Sequence, residues 1–97
     1  MVIEAINTVQ IHAVAGLAPS LRAPLGEIID QLADAPGRLA YGVTRSQGDD
    51  DVWIVSGHWK SRSAMEAHFT HPALHGFLGL LECSEVSRID FNIFHLS

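Results

Sequence analysis

The sequence predicts an α+β fold in which helices cover one face of a four-stranded antiparallel sheet. Three observations support this prediction. Polar and apolar residues alternate along residues 3–13, an amphipathic pattern follows in residues 19–35, and two apolar strands flank the acidic turn of residues 46–51. Strict alternation is typical of a half-buried strand, whereas apolar spacings of three and four are typical of a helix. The predicted order is strand, helix, strand, strand, broken helix, strand.

The first strand spans residues 3–13, because one of its faces is apolar and the other is polar. Asn7 shares the apolar face. The helix that follows opens near Pro19 and ends at the turn of residues 35–37, and Pro24 is tolerated near its start because proline fits a first helical turn. Its apolar stripe consists of Leu21, Leu25, Ile28, Ile29 and Leu32.

The next two strands, residues 39–46 and 52–60, are predicted to form a hairpin, and the last strand runs from about Val86 to Leu96. With the first strand they give a ferredoxin-like antiparallel sheet that carries both helices on one face. The chain shows no internal repeat, and we expect residues 1–97 to form a single domain.

Apolar residues lie on both faces of the third and fourth strands. In the third strand, Val52 and Ile54 lie on one face and Trp53, Val55 and Trp59 on the other; in the fourth, Ile89, Phe91 and Ile93 lie opposite Phe94 and Leu96. Helices can cover only one face of the sheet. A second apolar face left exposed usually marks an interface, so we expect a homodimer in which two sheets pack face to face.

The segment from Trp59 to Phe77 joins the end of a strand to a broken helix. Ser61 and Ser63 are both suitable N-caps, and Ser63 with Glu66 forms the pattern of a capping box. The proline at position 72 fits the first turn of a new helix, so we predict that the helix breaks near residue 71.

The pattern W-x-S-x-x-x-x-E-A-H-x-x-x-P begins at Trp59, and an aromatic residue follows it at Phe77. The histidine of the pattern, His68, falls on the apolar side of the helix. Together with a turn at residues 36–37 and Tyr41 on the next strand, this pattern resembles the signature of the antibiotic biosynthesis monooxygenase (ABM) family. The resemblance extends to the order of elements across nearly the whole chain, and it implies a dimeric α/β barrel.

Characterised enzymes of this family oxidise phenolic polycycles or quinols to quinones with O₂ and use no metal or organic cofactor. The resemblance therefore implies a monooxygenase with a small aromatic substrate and no cofactor. A deprotonated phenol is itself a one-electron donor to O₂. The protein then has to hold the substrate in an apolar cleft, stabilise its anion and accept its proton.

Six residues are candidates for such a site. His68 is the candidate base or proton shuttle, because the unperturbed pKa of histidine is near neutrality. Trp59 is a candidate to donate its indole N–H to a substrate oxygen, and Asn7 to polarise a second oxygen. The candidates for binding the substrate are Tyr41, Phe69 and Phe77. Four of them also have a structural interpretation. Trp59 would be a core anchor, His68 a buried, hydrogen-bonded histidine, Asn7 a partner of local backbone, and Tyr41 a core residue.

Two other functions stay open. A non-enzymatic dimeric barrel would bind a small aromatic metabolite without turning it over. A heme-degrading monooxygenase, from another branch of the superfamily, has an asparagine on the first strand, which Asn7 matches. However, His68 stands where that branch has a helix tryptophan, and Leu78 aligns with its iron-ligating histidine, three residues after His75.

A metal site has weaker support. His68, His71 and His75 would lie within about 60° of one another on a continuous helix. Pro72 disrupts that geometry, and no carboxylate stands beside them to orient the imidazoles. We therefore predict no bound metal.

Hydrolase and nucleotide sites are not indicated either. Ser56, His58 and Asp90 could be drawn as a catalytic triad, but the chain has no G-x-S-x-G nucleophile elbow. It also has no glycine-rich phosphate motif, so we expect no flavin or nicotinamide site.

The charge of the chain argues against two classes of partner. Its 97 residues carry a formal net charge of −5, with six lysines and arginines. Nucleic acids and anionic membranes both require a basic surface, so neither is an expected partner. No export signal or apolar run long enough to span a membrane is visible, and the expected location is the cytoplasm.

Overall fold

The computed structural model describes residues 3–95. Its strands are β1 (Ala5–Ala13), β2 (Arg38–Arg45), β3 (Val52–Trp59) and β4 (Val86–His95), and its helices are α1 (Arg22–Gln31), α2 (Arg62–His68) and α3 (His75–Leu80). Short 3-10 turns, Ala18–Leu21 and Pro72–Leu74, lead into α1 and α3. Leu96, the predicted end of the last strand, lies outside the described residues. Among the helices of residues 3–95, none is long and apolar enough to cross a membrane.

The four strands form an antiparallel sheet in the order β2-β3-β1-β4. This is the ferredoxin-like arrangement predicted from the sequence, so the predicted fold is confirmed. Because β1 lies between β3 and β4, its inward side chains occupy the middle of the sheet, beneath the helices.

Alternation along β1 decides which of its side chains enter the core. Every second residue from Ala5 to Ala13 is buried, and Asn7 is buried among them. Trp59 of β3 lies in the same core, and Met65 and Phe77 are buried from the helix side. Burial of each large apolar side chain stabilises the fold by roughly 1.5–3 kcal/mol.

The other face of the sheet is mixed, whereas an apolar face was expected from the sequence. The register places Gln10 opposite Ile54 and Thr8 opposite Ser56. The expectation came from apolar residues on both faces of the third and fourth strands. The register, however, places Ile54 between the polar residues Gln10 and Thr44. The face as a whole is therefore not an apolar patch.

Helix α2 begins after Ser61. Ser61 has an extended backbone, with φ −148° and ψ 158°, and its hydroxyl accepts a hydrogen bond from the N–H of Ala64 at 3.1 Å. Ser63 already lies inside the helix, and Glu66 pairs with Arg62 at 3.0 Å. The predicted Ser63–Glu66 capping box is therefore wrong, because the first serine after the strand already satisfies an orphan N–H of the helix.

The predicted helix break near residue 71 is confirmed. Helix α2 ends at His68, and a 3-10 turn begins at Pro72. His71 caps that turn, since its Nδ1 accepts the N–H of Ala73 at 3.0 Å. Proline has no N–H to continue a helix, so His68, His71 and His75 do not share one helical face.

Candidate functional site

A row of three residues crosses the helix-covered face of the sheet. The register pairs Asn7 of β1 with Gly57 of β3, and Gly57 with Tyr41 of β2. Paired residues point to the same side of a sheet, so the side chains of Asn7 and Tyr41 flank the bare backbone of Gly57. Asn7 is 4% exposed and Tyr41 is 8% exposed. The fold therefore brings together two predicted site residues that are far apart in the sequence.

Two hydrogen bonds fix the amide of Asn7. The indole N–H of Trp59 donates to Oδ1 of Asn7 at 2.7 Å, and Nδ2 of Asn7 donates to the hydroxyl oxygen of Tyr41 at 3.2 Å. Because an indole N–H can only donate, the oxygen of the amide must face Trp59. Nδ2 carries two hydrogens, and among the described residues Tyr41 is its one hydrogen-bond partner. Asn7 therefore keeps one N–H for a ligand.

Trp59 takes a different position from the one expected for a direct substrate contact. Its side chain is fully buried, and its N–H is already donated to Asn7. The contribution of Trp59 to the site is therefore to orient the amide of Asn7.

Gly57 makes this arrangement sterically possible. A Cβ at position 57 would lie 2.4 Å from Oδ1 of Asn7 and 2.5 Å from a ring carbon of Tyr41. Both distances are far shorter than ordinary van der Waals contacts. Gly57 was not among the site residues predicted from the sequence, although a glycine inside a strand often marks a close approach of this kind.

The hydroxyl of Tyr41 stays protonated at neutral pH. Burial raises the pKa of Tyr41, and the hydrogen bond with Asn7 and the charge of Arg38 offset part of this effect. The ring of Tyr41 meets the ring of Trp59 edge to face, with centroids 6.1 Å apart. Tyr41 thus acts as a neutral support for Asn7.

His68 stacks on Trp59, with ring centroids 4.2 Å apart and an interplanar angle of 31°. Its Nδ1–H donates to the carbonyl oxygen of Met65. The acceptor lone pair of the neutral ring is then on Nε2, which is buried and has no hydrogen-bond partner in the described part of the chain. Burial lowers the pKa of His68, the bond to Met65 raises it in part, and His71 lowers it further. The ring is therefore neutral at pH 7.

Three concavities lie near these residues, and the two larger ones are the candidate ligand sites. The first, which we call the β4 groove, has a volume of about 330 Å³ and lies between the helices and strands β1 and β4. Three phenylalanines form much of its wall, Asn7 contributes an amide, and His75 is its titratable residue. The groove is lined by Asn7, Val9, Phe69, Leu74, His75, Phe77, Leu78 and Phe91.

The second concavity, which we call the Pro36 cleft, has a volume of about 380 Å³. It lies between α2 and the turn that precedes β2. Its walls are largely small or apolar, and they include His68. The cleft is lined by Ala35, Pro36, Gly37, Ala64, Ala67, His68, Thr70, His71 and Pro72.

The six residues predicted for the site are therefore divided between these places. Asn7, Phe69 and Phe77 line the β4 groove, whereas His68 lines the Pro36 cleft. The other two, Trp59 and Tyr41, are buried in contact with Asn7 and His68. Sequence reasoning missed the contribution of β4 to the groove, because Phe91 reaches it only through its pairing with Val9 of β1.

Other arrangements considered from the sequence look different in three dimensions. Ser56 and His58 are in contact at 3.0 Å, but Asp90 pairs with His12 at 3.1 Å and with Arg88 at 3.1 Å. The triad is not assembled, because β1 separates Asp90 from β3. Within residues 3–95, no group of three or more His, Cys, Asp or Glu side chains is arranged to hold a metal ion.

Comparison with known families identifies the chain. The family model described as antibiotic biosynthesis monooxygenase matches residues 4–79, which is more than half of the 97 residues. The chain belongs to this family. The matched part contains the whole cluster of Asn7, Tyr41, Gly57, Trp59 and His68, and it ends before β4. No curated protein is significantly similar to this ABM protein in sequence.

Solved structures share the ABM fold at low sequence identity. A protein from Deinococcus radiodurans, provisionally named an antibiotic biosynthesis monooxygenase, is 21% identical with a TM-score of 0.81, over 96% of this chain and 92% of that chain. A protein from Pseudomonas aeruginosa is 18% identical with a TM-score of 0.77, and the match covers 100% of this chain and 97% of that chain. SnoaB from Streptomyces nogalater, a cofactor-independent oxygenase solved as a mutant, is 16% identical with a TM-score of 0.74. The match covers 96% of this chain and 93% of that chain. At these identities the likeness shows the fold alone.

Proposed function

We propose that this ABM protein is a cofactor-independent monooxygenase that oxidises a phenolic or quinol-type aromatic substrate with O₂ to a quinone. Family membership supports this reaction class, and SnoaB, which shares the fold, is a cofactor-independent oxygenase. The observation that carries the proposal is the amide of Asn7. It is buried, held by two hydrogen bonds, and keeps one N–H at the wall of an apolar groove.

The substrate binds in the β4 groove. Phe69, Phe77 and Phe91 line it, and they suit a flat aromatic ring because aromatic pairs are favourable in stacked and edge-to-face arrangements. A volume of about 330 Å³ falls at the small end of the usual range for ligand pockets, so we expect a small aromatic molecule.

Asn7 stabilises the anionic form of the substrate. Its remaining N–H donates to the phenolate oxygen, and the donor is already fixed by Trp59 and Tyr41 before the substrate arrives. The phenolate transfers an electron to O₂, and recombination forms a C–O bond to a peroxide. For an anthrone, the ring CH₂ and O₂ give a carbonyl group and one molecule of water, so no external reductant is needed.

Two histidines are candidates for accepting the substrate proton. His75 lines the β4 groove, so a substrate bound there can reach it directly. His68, the base proposed from the sequence, has a free Nε2 but lines the Pro36 cleft. We assign the proton transfer to His75 and keep His68 as the alternative. The variants His75→Gln and His68→Gln decide between them. The variant that lacks the base should turn the substrate over more slowly, whereas the other variant should keep the turnover rate of the wild type.

Oxygen uptake tests the proposal. We expect the protein, treated with a chelator, to consume O₂ with a small panel of anthrones and quinols above the rate of autoxidation. Asn7→Leu removes the donor at similar size, and we expect it to lower kcat by about 10²–10³, the usual cost of one such donor. Thr8→Val, on the opposite face of β1, is the matched control and should keep full activity. Unchanged uptake in Asn7→Leu would overturn the role of Asn7.

The same samples separate the alternative functions. Saturable binding of these compounds without O₂ uptake would favour a non-enzymatic barrel that binds an aromatic metabolite. A shift of the Soret band on adding hemin, lost in His75→Gln, would favour heme degradation, because Asn7 and His75 line one groove.

We also infer that the protein is a homodimer whose sheets pack face to face. On the face away from the helices, the register places Ile6 beside Phe94, and Ile54 is partly exposed. These apolar residues lie among polar ones, as in many interfaces between subunits. Light scattering over a hundredfold range of concentration should give the mass of a dimer, and Ile54→Lys should lower it. A monomer mass at every concentration would contradict this inference.

A further inference from the structure

Another concavity, which we call the arginine cleft, lies between α1 and strands β2 and β3. Its volume is about 440 Å³, and it shares no lining residue with the β4 groove or the Pro36 cleft. The proposed oxygenase reaction uses none of its residues. The cleft is lined by Arg22, Gly26, Val43, Thr44, Arg45 and Trp53.

Spacing along two elements brings two arginines to this cleft. Arg22 and Gly26 are four residues apart on α1, so they lie on the same side of the helix. Val43 and Arg45 are two residues apart on β2, so their side chains point to the same face of the sheet. The register pairs Arg45 with Trp53, which belongs to the core. The cleft therefore opens on the helix side of the sheet, which the inferred face-to-face dimer leaves free.

The cleft carries positive charge without a compensating carboxylate. Among the residues that line it there is no Asp or Glu. Within residues 3–95, Arg62 and Arg88 each pair with a carboxylate, whereas neither Arg22 nor Arg45 does. The chain as a whole has a formal net charge of −5, so this cleft is a local reversal of its charge. Such a reversal favours an anionic ligand.

Arg45 is positioned beside the cleft by two contacts. Its Nη2–H donates to the carbonyl oxygen of Asp50 at 2.6 Å, and its guanidinium carbon lies 5.3 Å from the centroid of the Trp53 ring. Trp53 is itself fixed, because its indole N–H donates to the carbonyl oxygen of Ala18 at 2.7 Å. A guanidinium has five N–H donors, so Arg45 keeps donors for an anion.

The walls restrict the kind of anion. Val43 and Trp53 give the cleft apolar surface beside its two guanidinium groups. A planar guanidinium matches the two oxygens of a carboxylate. Phosphate sites commonly use the free N–H groups at the start of a helix. The N–H of Arg22, at the start of α1, is already donated to the carbonyl oxygen of Pro19, so a carboxylate fits this cleft better.

We propose that the arginine cleft binds a small organic carboxylate with an apolar body. The carboxylate accepts hydrogen bonds from Arg22 and Arg45, and the apolar body lies against Val43 and Trp53. The proposal is independent of the oxygenase reaction, because it concerns a different concavity and predicts binding without turnover.

Nuclear magnetic resonance with two matched probes tests this proposal. Benzoate and benzamide have nearly the same size and shape, but only benzoate is an anion at pH 7. We expect benzoate to shift the indole N–H resonance of Trp53 and the amide resonances of Gly26 and Thr44 in a saturable way. Benzamide should bind at least about fivefold more weakly at this site, because it lacks the charge.

Three charge variants identify the residues that bind the carboxylate. Arg22→Gln and Arg45→Gln each remove one guanidinium, and each should lower the affinity for benzoate by about fivefold to tenfold. Arg62→Gln, which removes the same charge from α2, is the matched control and should bind as the wild type does. All three arginines are exposed, so we expect these variants to keep the fold.

A variant of Gly26 tests the position of the ligand without changing any charge. A Cβ on Gly26 would meet no atom within 4 Å, and leucine is favourable in a helix. In Gly26→Leu the new side chain occupies the cleft, so benzoate should lose at least about tenfold in affinity. Gly79→Leu, at a position on α3 that is equally open, is the matched control and should bind benzoate normally.

Four results would overturn the proposal. In the first, benzamide binds at the cleft as tightly as benzoate, which would mean that the charge is not recognised. In the second, Arg62→Gln loses as much affinity as Arg22→Gln, which would mean that only the net charge matters. In the third, the saturable shifts fall on Phe77 and Leu78 instead of Trp53, which would place benzoate in the β4 groove. In the fourth, Gly26→Leu binds benzoate with unchanged affinity.

Discussion

Replacement of Gly57 by alanine is the most direct test of how the cluster is built. Gly57 lies between Asn7 and Tyr41 in the register of the sheet, and both side chains pass over its backbone. The new Cβ would lie 2.4 Å from Oδ1 of Asn7, 2.5 Å from one ring carbon of Tyr41 and 2.8 Å from another. Both side chains are buried, so neither can move aside into solvent.

The size of the effect follows from three contributions. Overpacking in a core costs about 1–3 kcal/mol. Displacement of the amide of Asn7 leaves the buried N–H of Trp59 without its acceptor, which costs about another 1–3 kcal/mol. Alanine recovers about 0.4–1 kcal/mol, because it restricts the unfolded chain more than glycine does. The free energy of unfolding should therefore fall by about 3 kcal/mol, within a range of roughly 1–5 kcal/mol.

Urea denaturation at fixed protein concentration, followed by tryptophan fluorescence, measures this loss. Gly42→Ala is the matched control, because Gly42 also lies in a strand but no atom lies within 4 Å of a Cβ placed there. We expect the control to be as stable as the wild type or slightly more stable. If Gly57→Ala is as stable as Gly42→Ala, Asn7 and Tyr41 do not occupy the positions described, and the proposed site is wrong.

Three further predictions follow from the same structure. Trp59→Phe should destabilise the fold by about 1–3 kcal/mol in urea and abolish O₂ uptake, because Asn7 loses the donor that orients it; normal uptake would contradict this. Since burial lowers the pKa of His68 below 6.5, the unfolded chain takes up a proton first as the pH falls. The free energy of unfolding should therefore decrease as the pH falls below 6.5, by at most about 1.4 kcal/mol per pH unit, and level off below the pKa of the folded state. Urea denaturation at several pH values measures this slope. The variant His68→Phe should remove it. Ser61→Ala should cost about 1 kcal/mol in thermal unfolding, whereas Ser63→Ala should change stability by less than about 0.5 kcal/mol; the reverse order would restore the capping box predicted from the sequence.

Much of the fold could be predicted because the local signals are strong. Alternation in residues 3–13 and the break at Pro72 both match the structure. The start of α2 was misplaced because two serines have the same chemistry, and only the end of β3 decides which of them caps the helix. Local sequence preferences identify elements more reliably than their boundaries.

The site could be predicted only in part. The inward orientation of His68 and the burial of Asn7 follow from periodicity, and both agree with the structure. The hydrogen bond between Trp59 and Asn7 joins residues 52 positions apart, and no local pattern contains it. The same holds for Phe91, which reaches the β4 groove through its pairing with Val9.

The sequence by itself determined the class of fold, the faces of β1 and the inward position of His68, because these depend on the spacing of side chains along one element. The tertiary structure decided that Trp59 holds Asn7, that Gly57 gives it room, and that His68 opens on the Pro36 cleft while Asn7 opens on the β4 groove. The physical reason is register, since a slip of one residue between strands would turn the side chains of the slipped strand to the other face.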